Sequence, residues 1–294
     1  VRIGLSTPVV VQAPGLASEW EAGGTADHLA AIAHTADEAG LEFLSCSEHV
    51  AVPSGEAATR GVVYWDPLST LGFLAAHTRR IRLATAVLVL GYHHPLEVVK
   101  RYGTLDRISG GRLILGVGIG SLAPEFELLG ADWPSRASRA DEAIQALRAS
   151  MGVSEPAHSG SYFQFEGMTV QPSALQPRVP IWVGGRSRAS LRRAVRGADG
   201  WMPFGLAPEQ IRQLLRQEAV PTSFEVILGT DRALDPMGDV AGTRRVLSEL
   251  AAAGATVVSC GLAARSAEHY CQQIIRLAEV ARSLTAGKEE TSDD

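Results

Sequence analysis

The feature that most constrains this chain is an alternation of short β-rich runs with segments of helical period, repeated eight times along the sequence. The strand-like runs are 2–7, 43–48, 81–90, 113–120, 180–184, 200–204, 224–229 and 256–261. The helical segments between and after them are 27–39, 67–77, 95–109, 139–151, 188–196, 208–219, 240–253 and 267–284. Pro67 and Pro95 stand where a helix tolerates a missing N–H, and Gly40 and Gly110 stand where helices commonly end. The run 81–90 is almost continuously apolar, as expected of a strand covered on both faces in a parallel sheet. Eight such units predict an α/β fold, a closed (β/α)8 TIM barrel rather than an open doubly wound sheet. A single domain is expected over 1–287. An insertion around 121–179 contains a short hairpin near 161–170, and the charged tail 288–294 is expected to be disordered.

The 294 residues suffice for one such barrel and for a large core, so neither a disulfide nor a metal is needed for folding. A net charge of −5 argues against a general nucleic-acid binder. No apolar run is long enough to span a membrane, and the opening residues read directly into a strand rather than into a signal peptide. Cys46, Cys260 and Cys271 form no CxxC pair, which fits a reducing cytoplasm. His93-His94 has no HExxH or carboxylate cluster beside it, so no metal site is expected, and no GxSxG elbow marks a serine hydrolase.

In a (β/α)8 barrel, chemistry sits at the C-terminal ends of the strands. Ser47-Glu48-His49 closes the second run and precedes a long loop, 49–65. Histidine suits proton transfer near neutral pH, so His49 reads either as catalytic or as a rim histidine that caps local structure. Gly184-Gly185-Arg186-Ser187 opens a helix and reads either as an anion cradle or as a plain βα turn. Gly116, Gly118 and Gly120 lack the spacing of a dinucleotide fingerprint. They read either as a surface for a flat ring or as close packing against a neighbouring strand.

Several segments taken in order resemble the luciferase-like monooxygenase superfamily, and within it the branch that uses the deazaflavin coenzyme F420. They are Ser47-Glu48-His49-Val50, Thr85 through Leu90, His94-Pro95, Thr104 through Arg112, Leu115 through Gly120, Pro180 through Gly185, and Ala198-Asp199-Gly200-Trp201. The resemblance implies a barrel with inserted loops, usually a homodimer, holding the cofactor ring in its mouth. Its tail phosphate would lie by Gly184 and Gly185, helped by Arg186 and Ser187. It further implies a cis peptide between Ala86 and Val87 behind the ring, and places Ala86, Val87, Val89, Gly118 and Ser121 at the cofactor. Glu48 would bond the ring edge or orient His49, which would face the reacting carbon. Ser121 stands where the F420-dependent sugar-phosphate dehydrogenases carry a second acid/base glutamate, so that activity is not expected; Glu125 matches a related branch instead.

The expected function is transfer of a hydride between F420 and a small, fairly apolar organic substrate. Trp65, Tyr92, Trp201 and Phe204, with Trp20 and Val52, are expected in the pocket walls. Two alternatives stand: an FMN-dependent monooxygenase served by a separate flavin reductase, and a non-catalytic flavin- or deazaflavin-binding protein.

Overall fold

The computed structural model describes residues 1–289. Eight parallel strands form the barrel: β1 (Arg2–Ser6), β2 (Phe43–Cys46), β3 (Arg82–Thr85, continued by Leu88–Val89), β4 (Leu113–Gly118), β5 (Ile181–Gly184), β6 (Gly200–Met202), β7 (Glu225–Gly229) and β8 (Val257–Cys260). Their order is β3-β2-β1-β8-β7-β6-β5-β4, and pairing of Leu83 with Leu113 and of Ala84 with Ile114 closes the ring. The run 81–90 is one strand in sequence but two in space. It is interrupted by the Ala86–Val87 peptide, which is cis as the resemblance implied.

Eight helices cover the barrel: α1 (Ala26–Glu38), α2 (Pro67–Ala76), α3 (Pro95–Ser109), α4 (Arg136–Ser150), α5 (Arg188–Gly197), α6 (Pro208–Arg216), α7 (Val240–Ala252) and α8 (Ala267–Glu289). Pro begins α2, α3 and α6, where the first turn has no use for its missing N–H. α8 continues past the expected end at 284, while 290–294 of the expected tail lie outside the described residues. No helix among the described residues is long and apolar enough to cross a membrane.

The insertion between β4 and β5 carries a two-stranded antiparallel hairpin, His158–Ser159 with Gln164–Phe165, set slightly earlier than the sequence predicts. It also carries a short helix, Ala123–Leu128, that periodicity did not disclose because six residues span less than two turns.

The segment from Thr104 to Arg112, conspicuous in sequence, is a structural joint. Gly110 takes the left-handed conformation (φ 72°) that ends α3. Asp106 is fully buried and accepts hydrogen bonds from the backbone N–H groups of Leu113 (3.2 Å), Leu175 (2.9 Å) and Gln176 (2.8 Å) and from Gln176 Nε2 (2.7 Å). The buried Arg112 guanidinium donates to the carbonyls of Ser109, Ile81, Ala75 and Thr78 and to the Thr78 hydroxyl. These two groups join α3, β4, the α2–β3 turn and the end of the insertion.

Candidate active site

Side chains alternate between the inside and outside of a barrel strand, and the inside here is filled only at one end. Phe43, Ala84, Ile114, Trp182, Ile227 and Val257 pack into one fully buried layer. Gly4 leaves room for the Phe43 ring, which an added Cβ would meet at 2.3 Å. Below that layer, Trp182 Nε1 donates to Glu225 (2.7 Å), which also pairs with Arg2.

One layer toward the strand C-termini, the inward positions are Ser6, Ser45, Ala86, Gly116, Gly184, Met202, Gly229 and Ser259, nearly all small. Ser6 and Gly229 are exposed although they belong to barrel strands, and a Cβ added at Gly229 or Gly261 would meet nothing within 4 Å. The barrel therefore has a plugged floor and an open mouth of small residues.

Val87 occupies one side of this mouth. A Cβ at Gly118 would come within 2.6 Å of its side chain, and a Cβ at Gly184 within 2.8 Å. The two glycines make room for Val87, so packing against a neighbouring strand accounts for Gly118, and Gly184 is shaped by the same side chain. Gly118→Ala is expected to destabilise the fold by about 1–3 kcal/mol through overpacking. Combined with Val87→Ala it should cost less than Gly118→Ala alone, a non-additivity read from a double-mutant cycle of thermal or denaturant unfolding.

His49 follows β2, next to Glu48, whose N–H donates to the Val87 carbonyl (3.3 Å). The His49 Nδ1 lies 2.8 Å from Glu125 Oε2, and the His49 ring meets the Tyr64 ring edge-on with centroids 4.6 Å apart. Glu125, on the short helix Ala123–Leu128, is almost completely buried (1% exposed). It also accepts hydrogen bonds from Tyr92 Oη (2.7 Å) and from the backbone N–H groups of Val50 (2.6 Å) and Ala51 (3.2 Å). Burial alone would raise its pKa. The hydrogen bonds from Tyr92, His49, Ala51 and Val50 outweigh that and hold the carboxyl below the usual carboxylate range. An ionised carboxylate only accepts, so Nδ1 carries the proton and Nε2 is left without a partner among the described residues. The same burial and carboxylate raise the Tyr92 phenol, so it remains a donor.

Glu125 is the residue of this cluster that sequence reasoning did not place in the site. The signal was a carboxylate within Pro124-Glu125-Phe126 just beyond the β4 glycines, but its partner His49 lies 76 positions away.

Other expectations are corrected by the geometry. Glu48 does not orient His49. Its carboxylate accepts the Val89 N–H (2.6 Å) and meets His93 Nε2 (2.7 Å), so it faces the strand interruption. Trp201 does not line the mouth: it is fully buried on the outer face of β6, where its Nε1 donates to the Gly185 carbonyl (3.0 Å) and Ser190 Oγ (3.1 Å). Trp20 packs against His28 and Tyr270. Val89 is buried, whereas Tyr92 keeps a place at the site through its bond to Glu125.

The turn after β5 offers fewer donors than its glycines suggest. The Gly185 N–H is engaged by the Met202 carbonyl (3.3 Å), and Ser187 caps α5 by accepting from the Ser190 N–H (3.2 Å). Arg186 is exposed, its guanidinium 5.9 Å from the Phe204 ring, and supplies the available positive charge. Ser121 accepts a hydrogen bond from Arg60 (3.2 Å). Trp65 and Phe204 are exposed (37% and 57%), as is Val50. Burial pushes the Cys46 thiol up to about 12, which leaves it protonated and inert. Among the described residues, no group of His, Cys, Asp and Glu side chains could hold a metal ion.

Residues 1–220 match the luciferase-like monooxygenase family, and the chain belongs to it. It is 35% identical over 205 residues to an uncharacterised protein of Mycobacterium tuberculosis, covering 65% of this chain and 68% of that one. It is 29% identical over 194 residues to the oxygenase component of the flavin-dependent trigonelline monooxygenase of Acinetobacter baylyi, covering 64% of this chain and 52% of that protein. Two solved structures share the fold. The monooxygenase RslO1 from Streptomyces bottropensis superposes with a TM-score of 0.77 at 22% identity, covering 95% of this chain and 98% of the other. An F420-dependent secondary alcohol dehydrogenase does so with a TM-score of 0.72 at 15% identity, covering 95% and 97%. A relative is thus described as flavin-dependent and a protein of the same fold as F420-dependent.

Proposed function

We propose that this protein is an F420-dependent oxidoreductase that moves a hydride between the deazaflavin and a small, fairly apolar organic substrate. The observation that carries the proposal is His49, fixed through Nδ1 by the buried Glu125 with its Nε2 unpaired beside an open mouth of small residues. When bound, the deazaflavin supplies a hydride carrier that does not activate oxygen as a flavin does. Ser6, Ser47, Ala86, Val87 and Ser259 would line its ring, and Arg186 would meet its phosphate.

His49 Nε2 moves the proton that accompanies hydride transfer. It donates to a substrate oxygen as a carbonyl is reduced, or accepts from a hydroxyl as an alcohol is oxidised. Glu125 keeps the ring oriented through Nδ1. Trp65, Val50 and Phe204 supply exposed apolar surface for the rest of the substrate. These roles fit hydride transfer directly, because a proton must move wherever a carbonyl and an alcohol interconvert.

The flavin-dependent monooxygenase among the relatives supports a second reading, in which the same mouth holds FMN and a separate reductase supplies electrons. Parallel titrations with oxidised F420 and with FMN, followed by fluorescence and melting temperature, separate the two. The expected result is saturable F420 binding that raises the melting temperature, with FMN bound at least about tenfold more weakly, a difference of about 1.4 kcal/mol. Preferential FMN binding together with oxygen uptake in the presence of a flavin reductase would overturn the F420 reading.

A further inference from the structure

Four hydrogen bonds tie the end of β2 to the interruption in β3. Ser47 Oγ donates to the Ala86 carbonyl (2.6 Å), and the Ala86 N–H donates to the Cys46 carbonyl (2.8 Å). The Glu48 N–H donates to the Val87 carbonyl (3.3 Å), and the Val89 N–H donates to Glu48 Oε2 (2.6 Å). Three of these are made by backbone groups or by a serine hydroxyl. The fourth depends on a carboxylate that is 8% exposed, and its other oxygen is held 2.7 Å from His93 Nε2. His93 Nδ1 in turn lies 3.8 Å from Glu97 on α3. Glu48 thus connects the residues on either side of Val87 to the first turn of α3.

We infer that Glu48 is a positioning residue, which fixes the Ala86–Val89 segment and so sets Val87 in the wall of the mouth against which a cofactor ring packs. The inference rests on the proposed presence of a ring cofactor in that mouth. It does not give Glu48 a proton-transfer role, because both carboxylate oxygens are committed to the protein. A buried acceptor that loses its carboxylate leaves the Val89 N–H unsatisfied, and the cheapest relief is movement of the segment. Misplacement by a fraction of an ångström is felt strongly by a group that packs on a rigid ligand.

Glu48→Gln separates positioning from acid–base chemistry. A glutamine oxygen can still accept the Val89 N–H, and its amide can face a neutral His93, whereas it cannot exchange a proton. Dissociation constants for oxidised F420 by fluorescence, and pH profiles of kcat, are measured on the wild type, Glu48→Ala, Glu48→Gln, Val87→Ala and the Val87→Ala/Glu48→Ala double variant. Glu48→Ala is expected to weaken F420 binding by about tenfold or more. Glu48→Gln should recover most of that loss and keep both limbs of the pH profile. In the double variant, Glu48→Ala should add less than about threefold to the effect of Val87→Ala, because it acts through that side chain.

The inference is overturned if Glu48→Gln binds F420 well but loses turnover together with one limb of the profile, the signature of an acid or base. It is equally overturned if Glu48→Ala and Val87→Ala weaken binding independently. Should Glu48→Ala fail to fold, Glu48→Gln and His93→Ala supply the test; His93→Ala keeps the Val89 bond and should fall between the wild type and Val87→Ala in affinity. A wild-type protein that binds FMN and not F420 would defeat the F420 reading alone, and the same series titrated with FMN then decides the role of Glu48.

Discussion

His49→Ala is expected to lower kcat by about 10²–10⁴-fold while changing the dissociation constant for F420 by less than about threefold, the pattern of a lost proton-transfer group. The separation follows from the geometry. His49 is held by Glu125 and Tyr64 at the rim, while the surfaces proposed to pack on the ring are Val87 and the small residues of the barrel strands. Stopped-flow or steady-state turnover of F420 with an accepted substrate, beside a binding titration, reads both quantities. A kcat within about threefold of wild type would remove His49 from the chemistry.

Glu125→Gln is the companion variant. The amide can keep some of the bonds from Val50 and Tyr92, but it no longer opposes an imidazolium with charge. It should lower kcat less than His49→Ala does, because the histidine itself is still present. Glu125 also links folding to pH. Its folded carboxyl lies below the ordinary value of about 4.3, so its ionisation favours the native state above that value, and the contribution fades as pH falls through the folded value. The stability gap between wild type and Glu125→Gln should therefore be full near pH 7 and shrink below about pH 4.

Asp106→Ala is expected to destabilise the protein by at least about 3 kcal/mol, the largest effect on folding among the variants considered. The substitution leaves three backbone N–H groups and the Gln176 amide without their buried acceptor, at about 1–3 kcal/mol for each group that water cannot reach. At about 2–4 °C per kcal/mol, the melting temperature should fall by about 6 °C or more. Cofactor affinity, measured below the transition, should change little, since Asp106 lies on α3 and its bonds go to the start of β4 and the end of the insertion. A melting temperature within about 2 °C of wild type would show that the joint around Asp106 carries much less than its hydrogen bonds suggest.

The contrast between Asp106 and Glu125 shows how the sequence could be read and where it could not. Both are acidic residues near glycines in segments that stand out from the chain, and both become buried hubs. Thr104 through Arg112 contributed to the family resemblance through its order and spacing, yet its side chains join elements far from the mouth. Glu125 stood out only as a match to a related branch, yet it fixes the candidate proton-transfer residue. The nature of a carboxylate's partner is a property of the folded chain, and neither case could be assigned from local pattern.

Trp201 makes the same point through strand geometry. A period of two predicts that neighbours along a strand face opposite ways, but a barrel strand is packed on both faces, inward on the barrel contents and outward on the helices. Trp182 and Trp201 are both buried and both aromatic, and only the register of β5 with β6 puts the first inside and the second outside. Gly118 was left between ring contact and strand packing by its sequence, and the position of Val87 decides in favour of packing.

What the amino-acid sequence determined by itself is what short-range patterns encode: eight strand–helix units, the capping prolines and glycines, and the placement of His49 and Gly185 at strand ends. The resemblance carried by ordered motifs added the family and the cis peptide at Ala86–Val87. The tertiary structure alone decided which side chains meet: Glu125 with His49 across 76 positions, and Glu48 with Val89 and His93 across 41 and 45. The reason is physical. Helical and strand periods arise from backbone geometry within a few residues, whereas the partner of a buried charge is fixed by the closure and register of the whole barrel, which brings distant segments within hydrogen-bond reach only once it has formed.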